Sequence, residues 1–176
     1  MLRQPPSSRP GALDGGRGQL EAGRIALLAG DFERASRAAD TALAEDPRSV
    51  EAWILKGRSS VCRYDPKSAL GFYERALALD PASSEAWRRK GFAHRLAGET
   101  AQAAEAWRRA IELEPEDHRT LMHLGSAMDE LGDYQEAILC YERVLALDPA
   151  HAYARASLLL NQRILNRLDG APGRGP

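Results

Sequence analysis

A short pattern of apolar residues that ends in an acidic residue and a proline recurs four times along the chain. It reads ALAEDP at residues 42–47, ALALDP at 76–81, AIELEP at 110–115 and VLALDP at 144–149. Successive prolines of this pattern are 34 residues apart. A fixed period of this length is typical of solenoid proteins, in which each repeat is one supersecondary unit. The pattern therefore predicts four stacked repeats.

Other positions of the repeat keep the same step and indicate how its helices pack. Small residues recur at two positions: Gly23, Gly57, Gly91 and Gly125, and Ala35, Ala69, Ala103 and Ala137. They would let two antiparallel helices approach each other closely. A third position carries aromatic side chains after an initial alanine: Ala39, Tyr73, Trp107 and Tyr141. We expect these aromatic side chains to fill the space between repeats.

Turn residues divide each repeat into two helices. Gly30, Gly98 and Gly132 fit helix ends that need a left-handed residue. The carboxylates of Asp31, Asp65 and Asp133 can cap the helix that follows, and the late prolines stop the second helix. The predicted helices span residues 17–29, 33–45, 51–63, 67–79, 85–97, 101–113, 119–131, 135–147 and 152–168.

The predicted architecture is an all-α solenoid with short tails. The four repeats occupy about residues 16–49, 50–83, 84–117 and 118–151, and a helix at 152–168 covers the last of them. Residues 1–16 are rich in Pro, Gly, Ser and Arg and are expected to form a disordered tail, as are residues 169–176.

The repeats resemble the tetratricopeptide repeat family. The similarity is carried by EAWILKG and YDPKSALGFYERALALDP in the second repeat, EAWRRKG and GETAQAAEAWRRAIELEP in the third, and TLMHLGSAMDELGDYQEAILCYERVLALDP in the fourth. It covers about residues 16–149, and residues 152–168 look like the closing helix of the family. The first repeat matches least well, because it has Gln19 in place of the opening Trp and Ala39 in place of an aromatic residue.

Two turn positions depart from the pattern of the family. Tyr64 stands where the other repeats have glycine, so this turn is expected to be strained or built differently. Glu99 replaces the capping aspartate, and Thr100 is expected to take over the cap.

Composition narrows the class of function. The formal net charge is −1, from 24 basic and 25 acidic residues, which argues against a dedicated nucleic-acid or anionic-membrane binder. The two cysteines, Cys62 and Cys140, lie outside any CxxC pair and favour a reducing compartment, so the expected location is cytoplasmic. No apolar run approaches the ~18 residues of a membrane span, and the N-terminus lacks the apolar centre of a secretory signal.

No catalytic or metal-binding constellation is evident. The motifs GxxxxGK[ST], GxSxG and HExxH are missing. His118 and His123 are five residues apart, which does not place them on one helical face, and Cys62 has no histidine near it in the repeat frame. The sequence therefore predicts no enzyme activity, no cofactor and no metal site.

The resemblance implies a peptide-binding groove lined by the first helix of every repeat. The candidate groove residues combine apolar side chains with arginines: Arg24, Leu27, Ile54, Arg58, Val61, Arg88, Arg89, Phe92, Arg95, Arg119, Met122 and His123. Arginine suits bidentate contact with carboxylates. The predicted partner is a protein segment, extended or helical, with apolar anchors and acidic groups. An equally weighted alternative is that the arginines only pair with Glu51, Glu85 and Asp129.

The predicted function is a scaffold, an adaptor or a co-chaperone-like module. Some family members bind the C-terminal carboxylate of chaperones with lysines, asparagines and an arginine, but only Arg119 keeps a basic residue at a lysine position, so this mechanism is not expected here. A competing hypothesis is an RNA-binding helical repeat, which the constant step of 34 and the near-zero charge oppose. Two further hypotheses are self-association through the open ends and occupation of the groove by the chain's own residues 1–16.

Overall fold

The computed structural model describes residues 12–169, with side chains from residue 16 to residue 168. These residues form nine α-helices and no strand, so the predicted all-α class is confirmed. The helices are α1 (Ala12–Leu28), α2 (Phe32–Glu45), α3 (Val50–Cys62), α4 (Pro66–Leu79), α5 (Ser84–Leu96), α6 (Thr100–Leu113), α7 (His118–Leu131), α8 (Tyr134–Leu147) and α9 (Ala152–Asp169). The chain divides after Pro81 into two compact units, unit 1 with α1–α4 and unit 2 with α5–α9.

The largest difference from the predicted boundaries is at the start of α1. This helix begins at Ala12, five residues before the predicted start, so residues 12–16 are helical and do not belong to a tail. At Gly16 the α1 backbone runs so close to α2 that an added Cβ would lie 3.3 Å from Glu45 Oε2. At Gly16, α1 therefore lies beside Glu45, the last residue of α2. Residues 1–11 and 170–176, the rest of the expected tails, lie outside the described residues.

The turns follow the predicted chemistry. The carboxylates of Asp31, Asp65 and Asp133 cap α2, α4 and α8, each accepting a hydrogen bond of 2.9–3.1 Å from a backbone N–H three residues later. The glycines that end α1, α5 and α7 are left-handed, with φ of 78° or 79°. Tyr64 takes the same conformation, with φ of 58°, so its turn is strained as expected.

The start of α6 differs from the prediction, because Thr100 does not cap this helix. Thr100 is the first helical residue, and no side chain caps α6. The Thr100 hydroxyl instead donates to Glu130 Oε2 at 3.3 Å. The carboxylate of Glu99 lies 2.7 Å from His94 Nδ1. Both side chains that could cap α6 are therefore used in other contacts.

Unit 1 has a core of small side chains. Leu20, Ala39, Ala42, Ala52 and Leu55 form one buried cluster, with Leu27 and Leu43 packed against it. The buried ring of Tyr73 lies over Gly57, where an added Cβ would stand 2.4 Å from Tyr73 Cε1. The second repeat is thus closed by an aromatic ring, whereas the first is closed by alanines.

Unit 2 has a core of large side chains. Trp107 and Tyr141 are fully buried and lie over Gly91 and Gly125, where an added Cβ would stand 2.4 Å and 2.8 Å from the rings. The aromatic residues therefore fill the space between the two helices of their own repeat, which corrects the expectation that they fill the space between repeats. Trp107 does both, because it also stacks on His123 of the next repeat.

Helix α9 closes unit 2. It begins at Ala152, where His151 Nδ1 accepts a hydrogen bond of 3.2 Å from the backbone N–H of Ala154. Ala154 is fully buried in the same cluster as Trp107 and Tyr141. One step of 34 after the core residues Leu121 and Met128, α9 carries Arg155 and Gln162. Polar residues at positions that are apolar in the preceding repeat are what a terminal capping helix requires.

Candidate functional site

In unit 2 the first helices α5 and α7 lie side by side and form the face on which a groove was predicted. The Phe92 ring lies 4.5 Å from the His123 ring, centroid to centroid. Farther along the two helices, Arg95 Nη2 lies 3.1 Å from Glu130 Oε1. We call the surface made by α5, α7 and α9 the first-helix face of unit 2.

The floor of this face is an aromatic cluster. His123 packs edge-on against Phe92 and stacks on Trp107 at 5.4 Å, at an interplanar angle of 26°. Trp107 is fixed by its Nε1–H, which donates to the carbonyl oxygen of Arg88 at 3.2 Å. Burial, and then the charges of Arg95 and Arg88, lower the pKa of His123 below its ordinary value. The His123 ring is therefore neutral at pH 7 and acts as part of an apolar floor, together with half-buried Met122.

The arginines of α5 are partly neutralised. Arg89 Nε donates to Glu85 Oε1 at 2.8 Å, and Arg88 forms an ion pair with the same carboxylate. Arg88 Nε also lies 3.8 Å from Asp117 Oδ2. Arg88 is half-buried. For these two arginines the predicted pairing with Glu85 is present.

Asp117 is a fixed anion at the start of α7. Burial alone would raise the pKa of Asp117, but hydrogen bonds from Thr120 and the charge of Arg88 outweigh it and lower that pKa. Its Oδ2 accepts from the Thr120 hydroxyl at 2.6 Å. Asp117 therefore remains ionised at neutral pH and holds the Arg88 guanidinium.

Arg119 differs from the arginines of α5. It is exposed, and no acidic side chain among the described residues lies within ion-pairing distance of its guanidinium. Arg88 and Arg119 line one open pocket of ≈ 750 Å³ with residues 113–118 of the α6–α7 turn. The charge of Arg119 contributes to the lowered pKa of Arg88, after burial and Arg89. Arg119 also lies four residues before His123, so it is on the same side of α7 as this residue of the aromatic floor.

Asp129 was one of three carboxylates expected to pair with the arginines, yet its carboxylate is used inside the unit. It accepts hydrogen bonds from the Tyr141 hydroxyl at 2.6 Å and from the amide of Asn161 on α9. Burial, and then the bond to Asp129, raise the pKa of Tyr141. Asp129 therefore ties α9 to α7 and α8 and does not neutralise a groove arginine.

The candidate residues of unit 1 are placed on α1 and α3. Arg24 is exposed and lies 3.6 Å from Glu21 of its own helix, whereas Leu27 packs on the core. Ile54 is buried, so its expected place on an accessible groove floor is corrected. Arg58 and Val61 are half-buried. Within this unit Arg24 remains the clearest exposed candidate.

The structure also places the two cysteines and tests the helices as membrane spans. Burial raises the pKa of the Cys140 thiol to about 12, which keeps it protonated at neutral pH. Cys62 is exposed, and neither cysteine is in a disulfide. None of the helices in residues 12–169 is long and apolar enough to cross a membrane.

Two residues that were not among the sequence candidates, Tyr153 and Leu160, stand on α9. They lie one step of 34 after Arg119 and Ser126 of α7. Each is 58% exposed. They could have been identified by continuing the period of 34 residues into α9, one repeat beyond the four segments that end in proline.

The tetratricopeptide repeat family model matches the chain at residues 20–84, 63–118, 93–152 and 124–172. No curated protein was found to match the chain.

Several solved structures share the fold. The crystal structure of MamA is 28% identical and covers 84% of this chain and 86% of its own, with a TM-score of 0.74. YrrB, described as a tetratricopeptide repeat protein with an unusual peptide-binding site, is 20% identical over 91% of this chain and 86% of its own, with a TM-score of 0.71. The first such domain of Spaghetti (RPAP3), bound to the HSP90 peptide SRMEEVD, is 18% identical over 68% of this chain and 94% of its own, with a TM-score of 0.65.

Proposed function

The chain belongs to the tetratricopeptide repeat family, and from this premise we propose that it is a protein-interaction module, a scaffold or adaptor that holds a segment of a partner protein. The segment would lie on the first helices of the repeats, which in unit 2 form the first-helix face. The proposed partner is a peptide or helix with apolar anchors and acidic groups.

The observation that carries the proposal is the exposed guanidinium of Arg119 beside an apolar aromatic floor. An unpaired arginine keeps its full capacity for bidentate hydrogen bonds to a carboxylate. The neighbouring rings of Phe92 and His123 offer apolar surface to a side chain of the same partner. Charge and apolar surface together favour a peptide ligand over a small ion.

The comparisons support this class of function without naming the partner. YrrB and Spaghetti are described with a peptide-binding site and a bound peptide. At their low identity they share only the fold with this chain. We extend the proposal to the remaining candidates on first helices: Arg24, Leu27, Arg58, Val61, Arg88, Arg89, Arg95 and Met122. A cytoplasmic location belongs to the same proposal, and the two free cysteines agree with it.

The test is a charge reversal at Arg119, with a matched reversal on a second helix. Arg119→Glu should abolish capture of partner proteins in a pull-down from a lysate of the source organism. Arg109→Glu is the control, because Arg109 is an exposed arginine of α6 in the same unit whose ion-pair partner among residues 16–168 is Glu112 of its own helix. Both variants should keep the melting temperature of the parent chain, since exposed ion pairs contribute only about 0–1 kcal/mol.

The proposal fails if the Arg119→Glu chain captures the same proteins as the parent. It also fails if Arg109→Glu removes them equally, because the effect would then follow net charge and not the first-helix face.

A further inference from the structure

Helix α9 occupies the place of a first helix in a fifth repeat. Fully buried Ala154 follows Ala86 and Thr120, both also fully buried, at the step of 34. Asn161 follows Ala127 at the same step, is 2% exposed, and reaches back to Asp129 on α7. Two buried positions in register fix the rotation of α9 about its axis, so its remaining positions correspond to those of α5 and α7.

This register puts Tyr153 and Leu160 on the same face as Arg119 and Ser126. Both are 58% exposed, although large apolar side chains are usually covered. Leu159, their neighbour on α9, corresponds to Gly125 and belongs to the side where a second helix would pack. Leu159 is 56% exposed, but on a different side of the helix.

The chemistry of the first-helix face changes from α5 to α9. The positions of α5 carry Arg88, Arg89 and Arg95 around Phe92, and α7 carries Arg119 with the aromatic floor. The corresponding positions of α9 carry Tyr153, Ala156, Ser157, Leu160 and Arg163. The basic groups are therefore concentrated on α5 and α7, and exposed apolar groups on α9.

We propose that α9 is a binding helix as well as a cap, and that Tyr153 and Leu160 receive an apolar anchor of a partner segment whose carboxylates contact the arginines of α5 and α7. The inference rests on the proposed function and specifies its ligand. Packed helices are about 8–10 Å apart, and an extended chain advances about 3.3 Å per residue. The anchor should therefore follow or precede the carboxylates by about three to six residues.

The occupant is a partner and not a tail of this chain. Residues 1–11 and 170–176 contain Arg3, Arg9 and Arg174 and no acidic side chain. They would bring positive charge to a face that already carries unpaired Arg119. Charge complementarity thus selects an acidic segment from another protein.

The test uses defined peptides and the full chain. The first probe has four glutamates, a four-residue Gly-Ser spacer and Leu-Phe, and is made with the blocks in both orders. Two control peptides replace Leu-Phe by Ser-Ser or the glutamates by glutamines. Fluorescence anisotropy should show that the complete probe, in one of the two orders, binds more tightly than either control.

The adjacent leucines of α9 give a matched pair of variants. Leu160→Ser should weaken binding of the complete probe about tenfold, the effect expected when burial of part of a leucine side chain is lost. It should not change the affinity of the Ser-Ser peptide. Leu159→Ser, with nearly the same exposure, should leave both affinities unchanged. Thermal melts followed by circular dichroism should be alike for the two variants.

Failure of this inference and failure of the proposed function give different results. If Arg119→Glu weakens the probe but Leu160→Ser does not, the groove stands and the role of α9 is overturned. If Leu159→Ser weakens the probe as much as Leu160→Ser, the assigned side of α9 is wrong. If no glutamate-containing peptide binds the parent chain, the proposed function fails as well. Tighter probe binding after deletion of residues 1–11 would show that the tail competes for the face and would overturn the choice of occupant.

Discussion

The first and third repeats have a glycine at the same position and use it for different purposes. In the third repeat Gly91 makes room for the Trp107 ring, which an added Cβ would approach to 2.4 Å. In the first repeat, Ala39 stands at the position of Trp107, and the side chain nearest to Gly23 is Leu55 of the next repeat, at 2.5 Å. The comparison shows that one small residue can serve packing within a repeat or between repeats, according to the size of the side chain opposite.

The largest expected effect on stability comes from removing the Trp107 ring. Trp107→Ala should lower the free energy of unfolding by about 3–5 kcal/mol, because a fully buried aromatic side chain leaves a cavity and Arg88 loses the hydrogen bond to its carbonyl. Denaturant unfolding followed by far-UV circular dichroism measures it. Trp107→Phe, which keeps a ring over Gly91, should lose much less. A loss below about 1 kcal/mol for the alanine variant would contradict the central role of this ring.

The glycines provide a sharper comparison. Gly91→Ala should destabilise the chain by about 1–3 kcal/mol, because the rigid indole ring cannot move away from the new methyl group. Gly23→Ala should cost less than Gly91→Ala, because the flexible end of Leu55 can move, Ala38 Cβ at 3.2 Å has to shift only slightly, and alanine favours the helix by about 0.5–1 kcal/mol. Gly71→Ala is the control for that gain, since no atom lies within 4 Å of the added methyl group. If Gly91→Ala and Gly23→Ala lowered the free energy of unfolding equally, the two glycines would have the same role in packing.

The smallest expected effect on stability comes from substitutions in the turns. Tyr64 is 82% exposed and left-handed, so Tyr64→Gly removes strain without uncovering core. It should raise the free energy of unfolding by about 0.5–1 kcal/mol after the added entropy of glycine in the unfolded chain. Gly132→Ala, the reverse change at an equivalent turn, should lower stability by about 1 kcal/mol. A stabilising Gly132→Ala would show that these turns do not enforce the left-handed conformation.

Much of the fold was predictable because the same sequence pattern recurs in four repeats. Eight of the nine helices begin and end within one residue of their predicted bounds, since capping aspartates, left-handed glycines and prolines mark their ends locally. The start of α1 was missed because residues 12–16 carry no such signal. The cap of α6 was missed because Glu99 and Thr100 found partners on α5 and α7.

The candidate site was only partly predictable. The period placed Arg88, Arg89 and Arg119 on first helices, but it could not show which carboxylates reach them. Glu85 and Asp117 hold Arg88, whereas Asp129 is turned to Tyr141 and Asn161. Ion pairing depends on side-chain geometry between helices, and the spacing of residues in the sequence does not contain it.

The sequence by itself determined the helices, their turns and the step that stacks them, because capping, helix stopping and the period of 34 are local properties of the chain. The tertiary structure alone decided which charges remain available and which apolar side chains remain uncovered. Among the described residues, Arg119 has no acidic partner, and Tyr153 and Leu160 are exposed, because of which side chains the neighbouring helices place within contact distance.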